Sequence, residues 1–306
     1  GVRGKEGAAA VQASDVAISQ FSFLGNLLLC HGRKSYRRVA TFLLFFIYKS
    51  VALGWSYIIF AHTTLFSGEG AYPQWLDVIW NPLTSCAVVL ILVLDIDVLD
   101  EVALARPQLY MPGPARRFFN AMVFGQWMLL ATIQGIVSWC VPVYGLTSQA
   151  ERTHRPLLEG GPFWQASFTA FTTIFLVVHL KLLLVAERPL HLIGALALAA
   201  ELLAYAPVAI GLGSPLAPSH ELLGAPLVVV TSTPHLLVLI LAPLAALAPE
   251  AVCACWRRRA TRQDGADAPG SPGNGLEEYS EVATSPAGSA SETESDEDDG
   301  SDVEDI

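Results

Sequence analysis

Apolar residues along this chain fall into six long runs, at roughly 39–61, 76–95, 118–142, 164–186, 190–212 and 226–249. Each holds the roughly 20 mostly apolar residues that a helix needs to cross a hydrocarbon core about 30 Å thick. The fifth and sixth runs are rich in Ala, Leu and Pro, so their ends are set only to within several residues. The breaks are short, except for 96–117 and 143–163, which have room for small surface structures. No internal repeat is evident. The pattern predicts an all-α membrane protein: a six-helix transmembrane region at 37–250, a preceding segment 1–36, and a C-terminal tail 251–306.

Composition agrees. The 306 residues are 53% hydrophobic and 15% charged, with mean hydropathy +0.46, against about 25% charged in soluble domains. The net charge of −10 belongs to one end. Fourteen of the 28 acidic residues lie between Asp264 and Asp305, and no Lys or Arg follows Arg262, which leaves the first 262 residues at a formal +4. From Gln263 onward Gly, Pro, Ser, Asp and Glu dominate, a composition that buries too little apolar surface to offset chain entropy, so disorder is expected. Ser291, Thr293, Ser295 and Ser301 each stand three residues before an acidic side chain, the pattern an acidophilic kinase phosphorylates. A solvating acidic tail is the plainer reading of the same residues. No basic stripe with interleaved aromatics occurs outside the membrane flanks, which argues against nucleic acid as a partner.

The basic residues also orient the chain. Fourteen Lys and Arg lie in the alternate loops and both flanks (Arg33, Arg116 and Arg257 among them), against Arg152 and Arg155 on the opposite side. The positive-inside rule then places both termini in the cytosol. Gly1 to Asp15 lacks the apolar core of a secretory leader, and the chain reads as the continuation of a longer one. Five cysteines without CxxC or Cys/His spacing imply neither a disulfide framework nor a zinc site. Cys253 and Cys255, beside Trp256 and three arginines, form a candidate juxtamembrane palmitoylation site.

Polar groups inside spans are costly and are the first functional candidates. Lys49 lies 11 residues after Arg38 and 13 before His62, about 16–20 Å of helix from either end. Its ammonium cannot snorkel that far, so it should face the bundle interior, water or a partner, unless this part of the helix is a cytosolic extension. The second span offers Asn81, Thr84 and Ser85 within about one turn, beside Pro82, which removes a backbone donor. This is either a substrate path or interhelical glue. Asp77 stands at the outer end of that span, and Asp95 and Asp97 at the inner end. Lys181 is expected to snorkel to the cytosolic end of the fourth span, Glu201 to be paired structurally or else protonated, and His179 and His235 to be packing histidines. No catalytic triad, Gly-rich phosphate loop or metal cluster is present, so no catalytic or metal-binding residue is expected within the chain.

Several runs resemble a known family in sequence order. Gly4-Lys5-Glu6-Gly7, Ala13-Ser14-Asp15 and Ala17-Ile18-Ser19-Gln20-Phe21-Ser22-Phe23-Leu24 are similar to the end of the phosphorylation domain of type IV P-type ATPases, the phospholipid flippases. Leu27 to Arg38 resembles the family's entry into its fifth span, and Phe45-Phe46-Ile47-Tyr48-Lys49-Ser50 its aromatic-Tyr-Lys-Asn centre. Phe66-Ser67-Gly68, Asn81 with Thr84-Ser85, Asp95-Ile96-Asp97-Val98 and Pro107-Gln108-Leu109-Tyr110 follow in family order. The similarity is strong to about residue 127 and continues to Leu180-Lys181-Leu182. Beyond Pro189 it rests on hydropathy. Ser50 stands where the family has Asn, and Ala87 where the family has Pro.

The resemblance implies that the six spans are the family's fifth to tenth, with 1–36 as the end of the phosphorylation domain and its stalk. It implies ATP-driven transfer of a phospholipid toward the cytosolic leaflet of the plasma membrane or of Golgi or endosomal membranes. Lys49, Ser50, Asn81, Thr84 and Ser85 would lie on the substrate path. ATP and Mg²⁺ would be cofactors of the full-length enzyme only, bound by regions before Gly1. A two-span glycosylated accessory subunit is the implied partner. A P-type cation pump is the alternative, against which the absence of mid-span carboxylates counts; a non-catalytic membrane bundle is another.

Overall fold

The computed structural model describes residues 11–152, 161–186, 191–217 and 221–266, except the side chains of 90, 147–152, 162 and 253–266. The chain divides into two units, Gly1–Val252 and Cys253–Ile306. In the first, six helices are long and apolar enough to cross a membrane.

Helix α1 spans Phe23–Thr63 and includes a π-helical turn at Leu27–Gly32. It begins well before the first apolar run, because the basic segment Arg33 to Arg38 continues the helix rather than interrupting it. Helix α2 is Gln74–Leu94, with Pro82 inside it. A short helix α3, Asp100–Ala105, and a 3₁₀ turn, Pro107–Tyr110, occupy the expected surface loop. Helix α4 is Ala121–Arg152, α5 is Pro162–Val185 and α6 is Leu192–Leu212.

The sixth run differs from expectation. In place of one helix over 226–249 there are two, α7 at Ala225–Thr231 and α8 at Thr233–Ala266. Ser232 between them is extended, and Pro234 follows, which has no N–H to donate to the carbonyl four residues back and whose ring crowds it, so the first helix does not continue through. The helical backbone also runs past residue 250 to Ala266. The first part of the expected disordered tail is therefore helical, in keeping with its Ala- and Arg-rich sequence. The acidic residues beyond it lie outside the described residues.

Packing centres on α5. Its apolar window is 67% buried, against 22% for α6 and for the span within α8. Helix α4 packs between α1 and α5, and α2 lies along α6. Close approach of α4 to α1 depends on Gly135, where a Cβ would collide with the Ala52 carbonyl. Aromatic edges tie α1, α2, α4 and α5 together: Trp139 meets Phe60 and Tyr72, and Phe171 meets Tyr72 and Trp80. A cavity of about 560 Å³ opens between α5, α6, α7 and α8, walled by Phe168, Tyr205, Ala209, Pro226, Val229 and Leu239.

Candidate functional site

Lys49 is fully buried on α1. Its ammonium donates to Asn81 Oδ1 at 3.1 Å, Thr84 Oγ1 at 3.0 Å and Ser85 Oγ at 2.7 Å, all on α2. An ammonium has three donors, and each meets one neutral oxygen. The Phe46 ring lies 4.9 Å away, a further favourable contact for a cation. Hydrogen bonding is thus satisfied, and among the described residues no carboxylate touches the charge. Asn81 is exposed and Ser85 half-buried, so the cluster stands at an edge of the bundle. The arrangement suits transient contact with an anion.

Helix periodicity explains the grouping. Asn81, Thr84 and Ser85 occupy positions i, i+3 and i+4 and share one face. Thr84 also donates to the Trp80 carbonyl at 2.7 Å, which holds its oxygen toward Lys49. Ser50 is not brought into the cluster. It is exposed, and its hydroxyl turns back to the Phe46 carbonyl on its own helix.

Next to Lys49 stands a polar ring that the sequence reading overlooked. The Tyr48 hydroxyl donates to Gln134 Oε1, Gln134 Nε2 donates to Glu250 Oε2 at 3.0 Å, and Lys181 Nζ donates to the same oxygen at 2.9 Å. The Lys181 ammonium lies 4.1 Å from the Tyr48 ring centre and 4.6 Å from that of Trp127. Lys181 therefore does not snorkel: it is fully buried and closes a ring joining α1, α4, α5 and α8. The available signal was Gln134, a polar residue in the middle of the third apolar run.

The expected pairing of Glu201 is found, with His179 at 2.9 Å. The segment that follows α2 is bound to α1 by charge. Arg33 makes two hydrogen bonds to Asp97, at 3.1 and 2.7 Å; Arg37 meets Asp95 at 3.4 Å, and Lys34 pairs with Asp100. Partial burial works to raise Asp97, but the hydrogen bonds from Arg33 and the charges of Arg37 and Arg33 outweigh it and hold the carboxyl below its usual range. The Lys34 hydrogen bond does the same for Asp100. Cys253 and Cys255 lie on the backbone of α8, their side chains outside the described residues, as are Ser291, Thr293, Ser295 and Ser301.

Residues 11–263 match the sequence profile of the family described as "Phospholipid-translocating P-type ATPase C-terminal". The chain belongs to this family. Among its curated relatives, phospholipid-transporting ATPase IK of Mus musculus is 40% identical over 144 residues, 47% of this chain and 11% of the relative. Probable phospholipid-transporting ATPase DNF3 of Saccharomyces cerevisiae is 33% identical over 184 residues, 59% of this chain and 11% of the relative. Phospholipid-transporting ATPase ID of Homo sapiens is 33% identical over 183 residues, covering 60% and 15%. The chain thus spans between 11% and 15% of the length of these P-type ATPases. It is an integral membrane protein of the family's C-terminal, all-helical region.

Proposed function

We propose that this chain forms the membrane region of an ATP-driven phospholipid flippase, and that Lys49 with Asn81, Thr84 and Ser85 contacts the headgroup of the moving lipid. The observation that carries this reading is the Lys49 ammonium itself, fully hydrogen-bonded to neutral groups at a bundle edge, with no contacting counter-charge among the described residues. A cation in the bilayer centre costs about 2.5–3.5 kcal/mol on insertion scales, more than a packing position warrants. A headgroup phosphate or serine carboxylate passing this face supplies the missing negative charge only during transport. Its oxygens take up the ammonium's hydrogens, while Asn81 and Ser85 offer amide and hydroxyl donors in exchange. Ser50, outside the cluster, belongs to the path only as a lining residue.

The family implies ATP and Mg²⁺, and the described residues fit neither. Asp95, Asp97 and Asp100, the carboxylates that stand together, are engaged by arginine and lysine, and a hard cation would have to displace those pairs. Both cofactors are assigned to other parts of the full-length enzyme. Orientation with both termini in the cytosol, residence in plasma, Golgi or endosomal membrane, and a two-span glycosylated accessory subunit complete the proposal.

The test is phosphoenzyme decay against added phospholipid in the full-length enzyme. Lys49→Met should leave phosphorylation by ATP intact and raise the half-maximal lipid concentration about 10- to 100-fold, the effect of losing a charged hydrogen bond of about 1.5–3 kcal/mol. Lys49→Arg keeps the charge but not the fit and should be milder. A folded Lys49→Met enzyme with a wild-type lipid response makes this lysine structural and removes the proposed path.

A further inference from the structure

Glu201 stands mid-way along α6 with 5% of its surface exposed, and each carboxylate oxygen has its own partner. Oε1 accepts from the backbone N–H of Ala87 on α2 at 2.8 Å. Oε2 meets Nε2 of His179 on α5 at 2.9 Å. The other ring nitrogen of His179, Nδ1, lies 2.8 Å from the Phe175 carbonyl oxygen. A carbonyl only accepts, so Nδ1 carries a hydrogen. The contact between Nε2 and Oε2 then requires one further proton, held by the imidazole or by the carboxyl. Either way the pair is neutral as a whole, which is how a carboxyl group is accommodated at this depth.

Helix α2 needs an external tie. Pro82 has no N–H to give and its ring crowds the carbonyl four residues back, which weakens the helix and lets its two halves pivot. Asn81 lies on one side of that pivot, Thr84 and Ser85 on the other. Their joint contact with Lys49 therefore depends on the angle between the halves. Ala87 is in the second half, less than one turn beyond Ser85. Its tie runs through Glu201 to His179 on α5, the most enclosed helix of the bundle. Helix α6 itself is pressed against α2 at Gly194, where a Cβ would stand 2.8 Å from Ile91.

We propose that Glu201, anchored by His179, is a positioning residue for the headgroup site: its bond to the Ala87 N–H holds the second half of α2 where Thr84 and Ser85 meet Lys49. This rests on the reading of the Lys49 cluster as a headgroup site. With the proton on the imidazole Glu201 is a carboxylate, so the test has to separate charge from geometry. Gln does so. Its amide oxygen still accepts from Ala87, and its NH₂ donates to an unprotonated His179 Nε2, without the carboxylate's charge.

The experiment is lipid-stimulated phosphoenzyme decay in the full-length enzyme carrying Glu201→Leu, Glu201→Gln, His179→Leu or Lys49→Met. Glu201→Leu should raise the half-maximal lipid concentration about tenfold, the size of a lost hydrogen bond to a charged group, with ATP phosphorylation and the maximal decay rate retained. Glu201→Gln should stay within about twofold of wild type. On a Lys49→Met background Glu201→Leu should add little, because residues serving one site are not additive. His179→Leu, which frees one oxygen, should give a smaller rise, and it carries the test if Glu201→Leu does not reach the membrane. A wild-type lipid response in these variants, or Glu201→Gln as defective as Glu201→Leu, overturns the positioning role while Lys49→Met still shifts the response. If Lys49→Met does not shift it, the headgroup reading fails and this inference with it.

Discussion

Gly135 lies where α4 presses against α1, and the contact leaves no room for a methyl group. A Cβ there would run into the Ala52 carbonyl, which is backbone and has no rotamer to escape through. Gly135→Ala should therefore destabilise the bundle by about 1–3 kcal/mol, the usual cost of overpacking. Gly54 is the internal control: it lies on α1, and a Cβ added there would meet nothing within 4 Å. Alanine there should stabilise the helix by about 0.5–1 kcal/mol. Thermal unfolding of the detergent-purified protein distinguishes the two, and equal midpoints for both variants would contradict the packing described. Lys181 shows the same dependence on neighbours. Its position near a helix end suggests snorkelling, whereas Glu250, Tyr48 and Trp127 hold its ammonium inside.

Between elements, the start of α1 and the segment after α2 form one charged joint. Arg33 reaches both the Asp97 carboxylate and the Leu109 carbonyl, so a single side chain ties α1 to the whole 96–117 loop. Asp97 and Asp100 both lie below the usual carboxylate range in the folded protein. The stability they contribute is therefore present above the unfolded value of about 3.9 and is lost as pH falls through the lower folded value. Hydrogen exchange of the loop amides, corrected for intrinsic rates, should be flat from pH 7 to about 4 and rise below that. Asp97→Asn should raise exchange already at pH 7 and flatten the acid response. An acid response in Asp97→Asn that matches wild type would show that other groups govern the loop.

For the whole molecule, the distribution of basic residues argues for a topology that the tertiary contacts do not test. Tags inserted after Ile306 and within 96–117 should both be shielded from membrane-impermeant reagents in intact cells. Labelling of either from outside would reverse the proposed orientation. The span count was legible because lipid imposes a one-dimensional rule: a helix crosses when about 20 consecutive residues are apolar enough. The Lys49 cluster was legible in part for a related reason. Polar groups in spans are costly enough to be conspicuous one by one, and Asn81, Thr84 and Ser85 share a face by helical spacing alone. Ser50 shows where that reasoning stops, since adjacency to Lys49 on the chain places it on a different side of the helix.

Hydropathy along the chain determined the all-helical membrane class and the six apolar spans, and residue identity in order carried the family resemblance, because each is a local property that no neighbour alters. Which polar groups meet was decided only by the tertiary structure. Helix rotation and contact between segments far apart in sequence joined Gln134 to Glu250 and Glu201 to Ala87. The break at Ser232 and the helical course to Ala266 were likewise settled in three dimensions. A hydropathy run measures how apolar a segment is; whether its backbone stays continuous depends on local dihedral preferences and on what packs against it.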